Sequence, residues 1–270
     1  APLPGPDQAE AILRGKAYHE ILAAFYGEWK RPIAEGEKDA ALARMTEIAK
    51  GVFAREGLDV EARRALAYDG VLSSWIDAEA EGGWPAEEVF SEQTVEGTLA
   101  SEDGDARFRA RIDRIDRIGS DAAILDYKTG SSLPTQTSVR EGRSLQLPLY
   151  ALLLERSGKG TRVTRMGYAS VRPKPKAGIT PILLRESGKT ADRPAARTKA
   201  WAADEEFDAV LNLAAGRAVD VVRAVRDGFF PRADDPRACK TCGLSDVCRN
   251  HLLSEDTDDA PNRGENQDGG

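Results

Sequence analysis

The stretch that most restricts this chain is Ala110-Arg-Ile-Asp-Arg-Ile-Asp-Arg-Ile-Gly-Ser-Asp-Ala-Ala-Ile-Leu-Asp-Tyr-Lys-Thr-Gly130, two β-like runs on either side of a Gly-Ser pair. Alternation across 122–129 puts Ile124, Asp126 and Lys128 on one face and Ala123, Leu125 and Tyr127 on the other. A two-residue turn at Gly119-Ser120, glycine first as type II′ geometry prefers, pairs Ile118 with Asp121 and sets Asp113 across from Asp126. Two carboxylates then converge beside one ammonium group. Paired carboxylates repel unless a cation lies between them, and hard divalent ions such as Mg²⁺ take oxygen ligands while keeping several waters. A neighbouring lysine can orient water and stabilise charge that builds on a phosphate under attack. The same residues would also serve a surface hairpin laced with cross-strand ion pairs, so the rest of the chain has to decide.

Length and composition favour one elaborated domain: 270 residues, 41% hydrophobic and 31% charged, are ample for a buried core under a charge-rich surface. No apolar run approaches membrane-spanning length, and Ala1-Pro-Leu-Pro-Gly-Pro6 lacks the regions of a signal peptide, so a cytoplasmic, membrane-free protein is expected. The net charge of -7 speaks against nucleic acid only on the surface, because the segment from Ser254 to Gly270 carries six acids against one base. The body is close to neutral. Its arginines cluster at Arg107, Arg109, Arg111, Arg114 and Arg117, and again at Arg162, Arg165 and Arg172 with Lys174 and Lys176, which leaves room for local basic grooves.

Along the chain, residues 1–8 form a Pro-rich lead-in of the kind left when a chain is cut from a longer one. A helix is expected from Ala9 to about Trp29, carrying His19, followed by helices over Asp39–Glu56 and Val60–Glu81 in which Phe53, Tyr68 and Trp75 belong to the core. Strands are expected at Glu88–Leu99 and Asp105–Ile118, ahead of the strand bearing Asp126, with Glu92 and Glu96 on the first of them. A polar loop through about Arg143 leads to a helix capped by Ser144, in which Pro148 falls in the first turn and Gln146 and Tyr150 share a face. Strands at Arg162–Val171 and Ile179–Leu184 and a long helical stretch from Ala195 to about Asp227, broken once, complete the body. Ser187-Gly-Lys-Thr190 is no phosphate loop, since Leu183 stands where that motif requires glycine.

Cys239, Cys242 and Cys248 lie within ten residues, an odd number at a spacing that favours thiolate metal ligation over disulfides. Such sites take four ligands as a rule, leaving two readings open: His251 completes a Cys3His zinc site, or a fourth cysteine stands upstream of Ala1 in a longer parent.

Five features in order resemble the RecB/AddB-type nuclease domain of the PD-(D/E)XK superfamily: Gly15-x3-His19, Ile112-Asp113-Arg-Ile-Asp116, Ile124-Leu-Asp126-Tyr-Lys128-Thr-Gly130, Gln146-x3-Tyr150 and the cysteine cluster. The resemblance implies an α/β fold with a restriction-endonuclease-like core, a mixed central sheet flanked by helices, added N-terminal helices and a C-terminal cysteine segment. On that basis 9–238 is the nuclease domain, 239–251 the cluster segment and 252–270 a disordered acidic tail. It implies Mg²⁺ or Mn²⁺ held by His19, Asp113, Asp126 and the carbonyl of Tyr127, with Glu92 as a possible further acid. Lys128 would be the catalytic lysine, and Gln146 and Tyr150 would help hold DNA near the scissile phosphate. It further implies a 4Fe-4S cluster on Cys239, Cys242 and Cys248 whose fourth ligand this chain lacks, and exonuclease action on single-stranded DNA with a helicase subunit or region as partner in double-strand break repair. Two alternatives stay open: a catalytically silent DNA-binding clamp of the same fold, and a zinc module appended to an unrelated enzyme.

Overall fold

The computed structural model describes residues 6–58, 64, 70–100, 104–157, 160–188 and 199–230. Among them, three helices come first: α1 (Pro6–Trp29), α2 (Lys38–Glu56) and α3 (Val71–Gly82). Proline opens α1, where a missing N–H costs nothing. α2 stops because Gly57 takes φ +70° and lets its own N–H and that of Leu58 return to the carbonyls of Ala54 and Phe53. The helix expected over 60–81 begins at Val71 in the described part, after Gly70 at φ +57° breaks any continuation; Tyr68 lies outside the described residues.

Then come β1 (Glu88–Leu99), β2 (Ala106–Ile118) and β3 (Asp121–Lys128), close to the expected limits. The hairpin register is the expected one: Ile118 pairs with Asp121 around a turn in which Gly119 has φ +55°. The segment 131–143, expected as plain loop, folds α4 (Gln136–Arg140), because the Thr135 side chain caps it by accepting from the Ser138 N–H at 3.1 Å. α5 (Gln146–Arg156) keeps Pro148 in its first turn but is not capped by Ser144, whose hydroxyl lies 3.4 Å from that of Tyr168. After β4 (Arg162–Ser170) and β5 (Gly178–Arg185), most of the expected long helical stretch is found as α6 (Asp204–Arg226), but a short strand β6 (Trp201–Ala202) stands before it where helix was expected. Pairing of Leu184 with Trp201 gives those two residues a sheet partner that no local pattern announces.

The sheet runs β1-β2-β3-β4-β5-β6, with β3–β4 and β5–β6 parallel and the rest antiparallel. One face is covered by α1, α2 and α3 through Tyr18, Leu22, Phe25, Phe53, Trp75 and Tyr127. The other is covered by α5 and α6 through Ile112, Ile124, Leu147, Leu153, Met166 and Phe207. Close packing of α5 depends on Gly97, where a Cβ would come within 2.8 Å of Leu153 Cδ2. The parallel β3–β4 pair needs a crossover, and α5 supplies it, so its first turn returns over the carboxyl end of β3. That end carries Asp126 and Lys128. Open α/β sheets put their chemistry at such strand ends.

Arg114, grouped above with the surface arginines, is instead fully buried. Its Nε and Nη2 donate to Asp116 at 2.5 and 3.0 Å, its Nη2 stands 2.6 Å from Glu79 of α3, and its guanidinium lies 4.3 Å over the ring of Tyr26. The Tyr26 hydroxyl donates to Glu79 and accepts from Trp75 Nε1. This network ties α1 and α3 to the hairpin strand that carries Asp113. Asp116, the other acid of the Asp-Arg-Ile-Asp run, is thereby spent on Arg114, and it is Asp113 that reaches the site.

Candidate active site

At Asp113 and Glu92 the sheet departs from regular alternation. Phe108, Ala110 and Ile112 of β2 face the α5–α6 layer, and so does Ile115, an odd step that inverts the pleat between 112 and 115. In β1, Glu92 sits between the pairs Ser91–Arg114 and Gln93–Ile112, with no ladder partner and φ +53°. A left-handed glutamate costs about 1–2 kcal/mol, and such strain concentrates where a side chain must be aimed. Here it aims the Glu92 carboxylate at His19 and Asp113, and the ligand atoms of all three lie within 4.8 Å of one another.

Asp113 is fixed from two sides. The β2–β3 ladder ends at Arg114–Leu125, and Asp113 Oδ2 accepts from the Tyr127 N–H at 2.9 Å. His19 Nδ1 lies 3.4 Å from the same oxygen, its ring edge-on to Tyr127 at 5.8 Å. Gly15, one helical turn before His19, lets α1 come this near: a Cβ there would sit 3.2 Å from Thr129 Oγ1. Burial opposes a charge on His19, but the hydrogen bond to Asp113 and the charges of Asp113 and Asp126 outweigh it and raise its pKa.

Asp126 is held by other groups. Its Oδ2 is 2.5 Å from Lys128 Nζ, and its Oδ1 accepts from Gln146 Nε2 at 2.6 Å. Gln146 also accepts from Lys128 Nζ at 3.1 Å, and its amide lies 3.0 Å from the Tyr150 hydroxyl, so one side chain of α5 buckles acid and lysine together. Strict alternation placed Asp113 and Asp126 on one shared face. The structure instead turns Asp113 toward α1 and Asp126 toward α5, and the pair remains coupled. Burial first, and the charge of Asp113 second, push Asp126 from an ordinary 3.8 to about 6 against the pull of Lys128 and His19.

The donors suit a divalent ion. Bonds of about 2.1 Å place neighbouring ligands about 3.0 Å and opposite ones about 4.2 Å apart, so atoms within 4.8 Å of one another reach a common ion once the side chains draw inward around it. Two carboxylates with an imidazole suit Mn²⁺ as well as Mg²⁺, since nitrogen donors are taken more readily along the transition series. Tyr127, expected to offer its carbonyl, stands with its amide on Asp113 and its ring between those of His19 and Trp75. The turn that brings Glu92 in has no signal in Ser91-Glu-Gln93, which lacks the glycine or asparagine that favours positive φ. Cys239, Cys242 and Cys248 lie outside the described residues.

Residues 2–249 match the profile of the PD-(D/E)XK nuclease superfamily. The chain belongs to that superfamily. Its members are generally metal-dependent nucleases, typically with Mg²⁺, and the mixed six-stranded sheet flanked by helices is consistent with their restriction-endonuclease-like core. No curated protein matches the chain. Among solved structures, the crystal structure of SSO0001 matches over 90% of this chain and 96% of its own, at 14% identity and a TM-score of 0.34. No helix among the described residues of this PD-(D/E)XK protein is long and apolar enough to cross a membrane.

Proposed function

We propose that this PD-(D/E)XK chain is a divalent-metal-dependent deoxyribonuclease of the RecB/AddB type, acting on single strands within a helicase–nuclease that processes DNA breaks. The observation that carries the hydrolytic reading is the convergence of His19, Glu92 and Asp113 beside an Asp126–Lys128 pair locked by Gln146. The order of the Gly15/His19, Asp113, Asp126/Lys128 and Gln146/Tyr150 motifs supports the subfamily.

His19, Glu92, Asp113 and Asp126 would hold the ion, which when bound supplies Lewis-acid polarisation of the phosphoryl oxygen and a more acidic attacking water. Lys128 stabilises the charge that develops on the phosphate's free oxygens. Gln146 keeps that ammonium beside Asp126, and Tyr150 keeps Gln146 in place, so these two act by positioning. The cysteine segment is proposed to hold an iron-sulfur cluster once a fourth ligand is supplied from outside this chain.

The test is incubation of the purified chain with end-labelled single and double strands in Mg²⁺, in Mn²⁺ and in chelator. Ion-dependent degradation that favours the single strand is expected. Strand binding with no cleavage in either ion would support the silent clamp instead.

A further inference from the structure

Arg111 of β2 lines, together with Glu92 and His19, a cavity of about 930 Å³ that runs along α1 and is bordered also by Gly15, Lys16 and Arg55. Its Nε lies 2.6 Å from Glu92 Oε2, while the guanidinium-bearing side chain is 70% exposed and that of Glu92 only 26%. The pairing is diagonal: Arg111 is opposite Thr94 in the ladder, two residues beyond Glu92. Glu92 therefore has two claimants. It belongs to the trio with His19 and Asp113, and it already carries a guanidinium.

We infer that Arg111 is a phosphate-binding residue released by ion loading, so that metal and strand bind cooperatively through the Glu92 carboxylate. The inference rests on the reading of His19, Glu92 and Asp113 as an ion site. Without the ion, Arg111 neutralises Glu92 and is engaged there rather than by a second anion. With it, the carboxylate charge is taken up by the cation. The guanidinium, mounted on a strand and already at the wall of the cavity, turns to a phosphodiester next to the scissile one. A planar fork suits that contact better than a lysine would, because it binds phosphate oxygens two at a time. Arg107 and Arg109 are placed differently, since both pair with Glu96, further along β1 and away from the trio.

The consequence has two opposite signs in one variant. Arg111→Gln removes a cation that competes for Glu92, so the full-length protein without DNA should take up Mn²⁺ about threefold more tightly, read by the electron paramagnetic resonance of free Mn²⁺. The same variant should bind a labelled single strand about tenfold more weakly in Ca²⁺, with the slope of log affinity against log salt reduced by about one. In chelator the loss should shrink to about twofold, because Arg111 is then engaged by Glu92 even in the parent protein. Thermal melting of both proteins without ion checks that the exposed substitution leaves folding intact. Equal Mn²⁺ uptake by the two proteins, or a strand-binding loss of the same size in Ca²⁺ and in chelator, would overturn the coupling and leave the nuclease reading standing. No Mn²⁺ uptake by the parent protein would overturn both.

Discussion

Asp126→Asn is expected to end phosphodiester cleavage and, at the same time, to make the metal-free protein more stable at neutral pH. The catalytic half follows from geometry. Asp126 holds Lys128 Nζ at 2.5 Å and feels the charges of Asp113 and His19, so an amide there loses the charge that stations the lysine and, on the proposed reading, one ligand of the ion. A loss of about 10³-fold or more in rate is expected, with strand binding still measurable. The stability half follows from the raised pKa. Between the ordinary carboxyl value of 3.8 and about 6, the folded protein holds the Asp126 proton while the unfolded chain releases it, so stability falls as pH rises through that window. Above it the protein carries the full cost of a buried carboxylate. The asparagine avoids that cost while still accepting from Gln146, and a gain of about 1–2 kcal/mol at pH 7 is expected after the attraction of Lys128 is lost. Urea melts between pH 4 and pH 7 read both effects. A variant that cleaves like the parent, or one that shows the same pH slope, would contradict the assignment.

Arg114→Ala should be the most damaging substitution among those away from the ion trio. It removes the cation from between Asp116 and Glu79, whose side chains are fully buried like its own, and burial raises the pKa of both acids even with the guanidinium present. Breaking one member of a buried charge network costs about 3–5 kcal/mol, which for a chain of this size lowers the melting temperature by roughly 5–9 °C. Acidification should recover part of the loss as the stranded carboxylates take up protons. A change of less than about 1 kcal/mol in urea denaturation would show that the network does not bind α1 and α3 to the hairpin.

The hairpin was legible in the sequence because its information is local: alternation in 122–129 and a Gly-Ser pair fix the register as far as Arg114 and Leu125, whereas the turning of Asp113 toward α1 and Asp126 toward α5 beyond that pair was not. Gln146 and Tyr150 were legible for the same reason, being one helical turn apart on an otherwise apolar helix. His19 could be placed on a helix from its neighbours, but its approach to Asp113 depends on the packing of α1 against the end of β3 at Gly15. What escaped is long-range. Arg114 reads like its exposed neighbours Arg109 and Arg111, and only Glu79, thirty-five residues earlier and on a different layer, makes its burial tolerable. The left-handed turn at Glu92 has no residue signature, and the partner its carboxylate takes, Arg111, lies on the neighbouring strand. The strand Trp201–Ala202 exists only because β5 offers it an edge.

Titration of Mn²⁺ into the metal-free protein, with Glu92→Gln and Asp113→Asn variants alongside, tests the ion pocket most directly. The account predicts saturable uptake by the parent protein that weakens at least about tenfold in each variant. Uptake that is absent, or that survives both substitutions unchanged, would contradict it.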